Sequence, residues 1–298
     1  MLKYRLLVWL TAIFWGGSFV ATKVVIAQYP PVFVAAIRFA IAYTVLFFIQ
    51  RKPSGAKKSS VLWAGLWGIT LYFLFENLGI SLTSPTNAVL IISLIPVMHM
   101  IFFWIFGKTK IQRGQWIGGC IAFMGVGIVI TNGQLTLGVH PMGDLLMFGA
   151  CFSWILYTFF IINTHPDQKK RESLNTIAVT REVTFWGMVF LIPFSIGEMI
   201  VVQPPLQTLV PTLSSIMGLL FLGVCCSSLA YIFWNLAIRH IGPQSTTNAI
   251  YLMPVVTAFF EAVVLEQMPS LFTIIGGSLV ILGLMVCESN KKGKVRLV

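Results

Sequence analysis

Long apolar runs, separated by short polar connections, extend along most of this chain. Ten of these runs are near the length of about 20 residues that a helix needs to span a bilayer core. They cover residues 6–27, 31–49, 61–82, 84–106, 112–131, 142–162, 174–201, 211–238, 242–265 and 270–287. The pattern therefore predicts an all-α integral membrane protein with ten transmembrane helices.

The same pattern of glycine, proline and asparagine positions occurs twice, with a constant separation of 158 residues. Matches on this scale, without a gap, indicate a duplication. We therefore expect a first five-helix repeat over residues 1–131, a second over residues 142–287, and a basic cytoplasmic tail over residues 288–298. The pairs are Asn77 and Asn235, Pro85 and Pro243, Pro96 and Pro254, Gly118 and Gly276, Gly119 and Gly277, and Gly125 and Gly283.

An odd number of helices in each repeat has a consequence for membrane topology. Because five crossings leave the second repeat entering from the opposite face, we expect two inverted-topology repeats. In carriers built this way, the repeats are related by a pseudo-two-fold axis in the membrane plane. The substrate site then lies between the repeats, near the middle of the membrane.

The positions of the basic residues test this helix count. Of the 20 lysines and arginines, 17 fall in segments that the count places inside or, for Arg113, at the inner end of a predicted helix; three fall deeper within predicted helices, and none falls in an outer connection. Positive charge marks the cytoplasmic side, so we expect both termini in the cytoplasm. With 57% hydrophobic residues, the net charge of +11 reflects orientation in a lipid bilayer, and we expect no nucleic-acid partner.

Aromatic and amide side chains inside the predicted helices are candidates for the lining of a substrate cavity. Trp15 lies near the middle of the first helix, and we take Trp154 as its counterpart, with Tyr157 about one turn further along. Aromatic faces suit organic substrates, including cationic ones. The alternative for the Trp15 segment is close helix packing, since two glycines follow it. The cavity candidates are Trp15, Asn77, Trp154, Tyr157, Trp234 and Asn235.

Two prolines lie in the middle of predicted helices, at equivalent places in the two repeats. Pro96 and Pro254 each lack a backbone donor and block the bond to the carbonyl four residues earlier, so both helices should kink there. Proline kinks also occur for packing alone. A matched pair in inverted repeats favours a hinge or a binding site.

Four charged residues lie within the predicted helices at a similar depth. Lys23, Arg38, Glu76 and Glu261 are each about 5 to 11 Å below the outer surface. Because isolated charges are costly in a membrane, we expect a mutually neutralising cluster on the protein-facing sides of the helices. It could latch an outer gate or bind substrate or protons, and Lys23 could instead extend to the surface. Glu76 and Glu261 are the candidates for proton coupling.

Signals for an enzyme are weak in this sequence. The segment Gly107-Lys108-Thr109 has the end of a phosphate-binding loop, but Phe102 occupies the position of its first glycine. The two aspartates, Asp144 and Asp167, lie at a helix start and in a connection, which does not suit an intramembrane protease. Histidines and cysteines lack metal-ligand spacing. We expect no catalytic activity, no cofactor and no metal site.

Taken together, these features resemble an EamA-type permease of the drug/metabolite transporter superfamily over essentially the whole chain. The resemblance implies export, or less often uptake, of small metabolites by alternating access, driven by protons or exchange. One feature departs from the family pattern: the acid that often follows helix 4 is replaced around Gly107 and Lys108. The matching residues are Trp15-Gly16, Pro31, Arg38, Pro96, Gly118-Gly119, Gly125, Pro254, Glu266, Gly276-Gly277 and Gly283.

The sequence thus predicts a multi-pass secondary transporter of the cytoplasmic (plasma) membrane. Amino acids or related compounds, moved outward, are the first choice of substrate, with proton coupling or exchange as the driving force. Its partners would be a small-molecule substrate and the lipid bilayer, and it would act as a monomer or a homodimer. A multidrug exporter for cationic amphiphiles is the alternative within transport. A channel or a non-transporting membrane scaffold represents a different class.

Overall fold

The computed structural model describes residues 2–106, 112–131, 141–164, 174–242 and 246–289, and every regular element in these ranges is helical. Two short 3₁₀ turns, Leu206–Leu209 and Asn248–Leu252, accompany the longer helices. The helices are α1 Leu2–Ile26, α2 Pro31–Ile49, α3 Lys58–Leu82, α4 Pro85–Ile92, α5 Ile95–Ile105, α6 Arg113–Thr131, α7 Pro141–Ile162, α8 Thr176–Val202, α9 Leu213–Ile241, α10 Met253–Val264 and α11 Leu271–Ser289.

Within these described ranges, seven helical segments are long and apolar enough to cross a membrane. They are α1, α2, α3, Pro85–Phe102 at the start of the α4–α5 pair, α7, α8 and α9. Helices α6, α10 and α11 lie over the other three predicted spans. A helix therefore lies over each apolar run, while seven of the ten runs meet the length and composition of a span. The basic connections at 107–111 and 165–173 and most of the 288–298 tail fall outside the described residues, whereas the connection at 50–57 is described.

Local capping explains where several helices begin. Asn175 precedes α8, and its Oδ1 atom accepts hydrogen bonds from the backbone of Ile177 and Ala178 at 3.0 and 3.2 Å. Ser84 precedes α4 and accepts from the Asn87 amide at 3.1 Å, with a proline in the first turn. These bonds satisfy amides that have no partner inside the helix, which favours a helix start at these two positions.

Two of the long helices contain a stretch of π-helix. One covers Leu66–Leu71 in α3, and the other covers Phe221–Leu229 in α9. The 158-residue step places the first stretch inside the second. A π-helix widens the turn and redirects backbone carbonyls, which are then available to side chains from other helices. Both stretches face the interior of the helix bundle, where such carbonyls need partners.

The helix is interrupted just before each of the mid-span prolines. Residues 93 and 94 separate α4 from α5, and Pro96 lies in the first turn of α5. In the second half, the 3₁₀ turn Asn248–Leu252 comes before α10, and Pro254 lies in its first turn. The structure therefore has a break at each site where the sequence predicted a kink, because proline starts a helix readily but cannot continue one.

Helices α6 and α11 cross at the repeated glycines. A Cβ atom added at Gly276 would lie 2.5 Å from the carbonyl oxygen of Gly125, and one added at Gly283 would lie 2.5 Å from that of Gly118. Real side chains do not approach backbone so closely, and the two backbones are therefore in direct contact. Gly276 is the counterpart of Gly118 and contacts Gly125, while Gly283 is the counterpart of Gly125 and contacts Gly118. The crossing is therefore reciprocal.

Candidate functional site

A small cavity lies inside the helix bundle. The cavity has a volume of about 20 Å³ for the centre of a water molecule, so it holds about one water. Its lining combines aromatic rings, aliphatic side chains and two charged groups. The lining residues are Trp15, Ser18, Phe19, Arg38, Tyr72, Phe73, Glu76, Ile92, Ile95, Trp154, Tyr231, Ile250 and Met253.

Six aromatic side chains pack together on one side of this cavity and are called the aromatic cluster below. The ring centroids of Trp15 and Trp154 are 5.3 Å apart with the rings almost perpendicular. Trp15 also lies 4.8 Å from Trp234, and Trp154 lies 5.2 Å from Tyr72. Edge-to-face packing at these distances is favourable for aromatic rings. The cluster consists of Trp15, Tyr72, Trp154, Tyr157, Tyr231 and Trp234.

The two π-helical stretches hold this cluster through their carbonyls. Trp15 Nε1 donates a hydrogen bond to the Cys226 carbonyl at 3.0 Å, and the Tyr231 hydroxyl donates to the Gly68 carbonyl at 3.1 Å. Gly68 and Cys226 are related by the 158-residue step. By contrast, the buried Nε1 atom of Trp154 has no hydrogen-bond partner among the described residues.

Arg38 is buried at the cavity with its charge only partly engaged. The side chain is 1% exposed, and its Nε atom donates to the Ser227 hydroxyl at 2.5 Å. The guanidinium lies 4.4 Å from the centroid of the Phe73 ring, a distance typical of a cation–π contact. Its Nη1 atom has no hydrogen-bond partner in the described part of the chain. These contacts hold the guanidinium in place and leave the Nη1 atom without a partner among the described residues.

Glu76 is the second charged residue of the cavity. It is 2% exposed, and its Oε2 atom has no hydrogen-bond partner among the residues that the structure describes. Arg38 lines the same cavity, but its guanidinium is not within 4.0 Å of the Glu76 carboxylate. Among the described residues, the ion pair at that distance is Arg181 with Glu182. A buried carboxylate and a buried guanidinium thus share one cavity without direct contact.

The other two members of the expected charge cluster bind helix ends. Lys23 Nζ donates to the carbonyls of Ile80 at 2.7 Å and Thr83 at 2.9 Å, at the end of α3. Glu261 accepts from the Thr86 amide at 2.9 Å and also from its hydroxyl, at the start of α4. Helix ends offer unpaired carbonyls and amides, and their partial charges favour a cation and an anion respectively. Lys23 and Glu261 thus have partners at helix ends, whereas Arg38 and Glu76 line the cavity.

Several cavity candidates instead join helices to one another. Asn77 donates to the Pro31 carbonyl at 2.8 Å. The Tyr157 hydroxyl donates to Asn235 Oδ1 at 2.9 Å, and Asn235 Nδ2 in turn donates to Thr180 at 3.0 Å. Trp15 and Trp154 line the cavity. The other four candidates, Asn77, Tyr157, Trp234 and Asn235, are not among its lining residues.

Sequence reasoning missed the cavity residues Tyr72, Phe73 and Tyr231. One signal could have found two of them, because Phe73 and Tyr231 are an aromatic pair at the 158-residue separation. The mid-span prolines lie next to the cavity, since Ile95 and Met253, which directly precede them, both belong to the lining. A change in either helix break would therefore move a wall of the cavity.

Comparison with known proteins identifies the family. The model of the EamA-like transporter family matches residues 2–131 and 141–287. This chain belongs to the EamA-like transporter family. With its apolar helices, this EamA-like transporter is a multi-pass protein of the plasma membrane.

Relatives and a solved structure cover nearly all of this transporter. A protein of Archaeoglobus fulgidus named "Uncharacterized transporter" is 30% identical over 97% of this chain and 98% of its own length. A protein of Escherichia coli named "Probable amino-acid metabolite efflux pump" is 23% identical, with 95% and 94% covered. A crystal structure with 18% identity superposes with a TM-score of 0.68 over 96% of this chain and 98% of that one, which shows the shared fold.

Proposed function

We propose that this EamA-like transporter is a secondary active transporter that exports amino acids or related small organic metabolites by alternating access. The observation that carries the proposal is the central cavity, where aromatic rings and two opposite charges meet inside an apolar helix bundle. The name of the Escherichia coli relative supports the choice of substrate. Substrate sites of carriers lie in this central position.

The proposal includes ten crossings, two inverted repeats and cytoplasmic termini. A two-fold axis between the repeats produces contacts in matched pairs. If residue A contacts the counterpart of residue B, then residue B contacts the counterpart of residue A. The contacts of Gly276 with Gly125 and of Gly283 with Gly118 have this form. They support a two-fold relationship between α6 and α11. Reporter fusions at the 163–173 and 202–210 connections would test the topology, with the first inside and the second outside.

A second pair of contacts supports the same relationship. Thr257 donates to the Gly16 carbonyl at 2.8 Å, and the His99 side chain is hydrogen-bonded to the backbone of Ile155. His99 and Thr257 are separated by 158 residues, while Gly16 and Ile155 are separated by 139, as are Trp15 and Trp154. The contact between α1 and α10 is thus matched by one between α7 and α5.

The size of the cavity supports alternating access. Space for about one water cannot hold a metabolite, so the lining has to move before substrate binds. The helix breaks next to Pro96 and Pro254 are the proposed hinges, because their irregular backbone can change direction without breaking a regular helix. Glu76 and Glu261 are the proposed proton-coupling groups. Transport by a Glu261→Gln protein that matches wild type at every pH would remove Glu261 from that role.

A multidrug exporter for cationic amphiphiles is the second candidate function. The aromatic cluster favours it, since aromatic faces attract cations. Arg38 weighs against it, because its buried positive charge lines the same cavity and repels a cation.

A ligand screen separates these functions. The detergent-purified protein would be heated with amino acids, amines, nucleosides or cationic dyes at two pH values. A ligand at 100 times its dissociation constant adds about 2.7 kcal/mol of stability, which a thermal shift detects. Hits among amino acids, followed by their uptake into proteoliposomes, would support the proposed exporter. Hits and uptake confined to bulky cations would favour drug export. No uptake of any compound would contradict transport.

A further inference from the structure

We infer that Arg38 and Glu76 form a two-point site for a zwitterion, in which Arg38 binds a carboxylate and Glu76 binds an ammonium group. The inference rests on the proposed transport function and names the chemical class of its substrate, an α-amino acid with an apolar side chain. It begins from an unusual arrangement: two opposite charges line one cavity and each keeps an unused hydrogen-bonding atom.

Arg38 is positioned to bind a carboxylate. The bond to Ser227 and the contact with the Phe73 ring fix the guanidinium and engage its Nε atom. Nη1 remains without a partner among the described residues. A guanidinium binds carboxylates through parallel N–H bonds, and fixing it in advance lowers the entropy lost on binding.

Glu76 supplies the complementary charge. A buried carboxylate is costly unless it is paired, and Oε2 lacks a hydrogen-bond partner in the described chain. The Arg38 charge in the same cavity compensates it at a distance, since the two groups are not within 4.0 Å. A ligand with one positive and one negative group would pair both at once. A purely cationic or purely anionic ligand would leave one buried charge unpaired, which is strongly unfavourable.

The remaining lining indicates the substrate's third group. Beside the two charges, the cavity wall consists mainly of aromatic and aliphatic side chains, such as Trp15, Tyr72, Trp154 and Ile250. An apolar substituent would pack against these surfaces, whereas a charged one would find no partner among them. The competing explanation is that Arg38 and Glu76 form a structural pair bridged by the one water that the cavity can hold.

Binding measurements with matched probes distinguish these explanations. L-Phenylalanine carries both charges, 3-phenylpropanoate lacks the ammonium, and L-phenylalanine methyl ester lacks the carboxylate. Leucine, 4-methylpentanoate and leucine methyl ester form a second series. We expect the wild-type full chain to bind the amino acid of at least one series about tenfold or more tightly than either analogue, as charged hydrogen bonds predict.

The two variants should lose affinity for different probes. Glu76→Gln should weaken amino-acid binding about tenfold. It should not weaken binding of the ammonium-free acid and should strengthen it, because no buried carboxylate is then left unpaired. Arg38→Gln should weaken the amino acid and the acid alike and spare the methyl ester. Arg38→Lys keeps the charge and should retain the preference for a carboxylate, which preserves the test if Arg38→Gln does not fold. Glu266→Gln and Arg51→Gln change exposed charges and serve as matched controls.

The outcomes separate this inference from the proposed function. If Arg38 and Glu76 are only a water-bridged structural pair, the variants should be less stable than wild type, and their affinity for every probe should fall equally. That result, equal wild-type binding of all probes, or no binding of either amino acid would overturn the inference. Proteoliposome uptake then decides the broader question: uptake of any compound keeps the transporter proposal, and uptake of none contradicts it.

Discussion

The two halves of the chain make equivalent contacts at the crossing of α6 with α11 but different contacts in the aromatic cluster. At the crossing, Gly276 meets Gly125 and Gly283 meets Gly118, so an exchange of the halves leaves the contacts unchanged. In the cluster, Trp15 donates to the Cys226 carbonyl, but its counterpart Trp154 does not donate to the corresponding Gly68 carbonyl. Tyr231 occupies that acceptor instead.

This difference distinguishes a symmetric region, the glycine crossing, from an asymmetric one, the aromatic cluster. Under the proposed alternating access, the two halves would exchange conformations between states, and each single state would therefore be asymmetric. We propose that the glycine crossing stays constant in both states and that the hydrogen bonds of the aromatic cluster change between them. In the other state, Trp154 would bind the Gly68 carbonyl and Trp15 would release Cys226. Substitutions in the two regions test this assignment.

The largest effect is expected at the glycine crossing. Gly276→Ala would place a methyl group 2.5 Å from the Gly125 carbonyl oxygen and 2.6 Å from a methyl group of Val129. The helices have to separate, at a cost of about 1 to 3 kcal/mol, although alanine itself favours a helix. The melting temperature of the purified protein in detergent should fall clearly.

Gly127→Ala is the matched control for this substitution. Gly127 lies on α6 as well, but nothing approaches within 4 Å of the position of an added Cβ atom. Its melting temperature should stay level or rise slightly. Equal effects of the two substitutions would show that helix propensity, and not the close crossing, determines stability here.

A middle effect is expected from the two tryptophans of the cluster. Trp15→Phe removes a donor and leaves the Cys226 carbonyl unpaired, whereas Trp154→Phe removes a donor that has no acceptor among the described residues. Both side chains are almost fully buried, at 8% and 4% exposed, so the loss of volume costs each variant a similar amount. The difference between them isolates the hydrogen bond, which is worth about 0.6 to 1.7 kcal/mol inside a membrane protein.

Chemical unfolding of both variants in the same detergent measures that difference. Trp15→Phe should be the less stable protein. A less stable Trp154→Phe protein would mean that Trp154, and not Trp15, donates the stronger hydrogen bond. The direction of the proposed exchange in the aromatic cluster would then have to be reversed.

Much of the fold could be predicted from local signals. The run predicted at residues 31–49 is the helix Pro31–Ile49, because its apolar length and its starting proline both lie in the sequence itself. Pro96 and Pro254 likewise located the two helix breaks. The π-helical stretches had no such signal, since they depend on donors from other helices, such as Trp15 and Tyr231.

The site was predictable only in part for the same reason. Trp15 and Trp154 could be found from their type and position, and both line the cavity. The partners of Lys23 could not, because its acceptors are the last carbonyls of α3 and their location depends on how α1 and α3 pack. Depth along a helix can be counted from the sequence. The direction in which a side chain points requires the packed structure.

The smallest effect is expected from Tyr231→Phe, and it tests the exchange most directly. The substitution removes one hydroxyl and frees the Gly68 carbonyl at a cost near 0.6 kcal/mol, the average for a bond of this kind. Under the proposed exchange, Trp154 Nε1 then becomes the donor to Gly68, so Trp154→Phe should cost more in the Tyr231→Phe protein than in wild type. A double-mutant cycle measures this coupling, which for residues in contact is about 0.5 kcal/mol or more. Strict additivity would mean that Trp154 does not take up the vacated acceptor, and the two halves would then differ for a reason other than the state of the transporter.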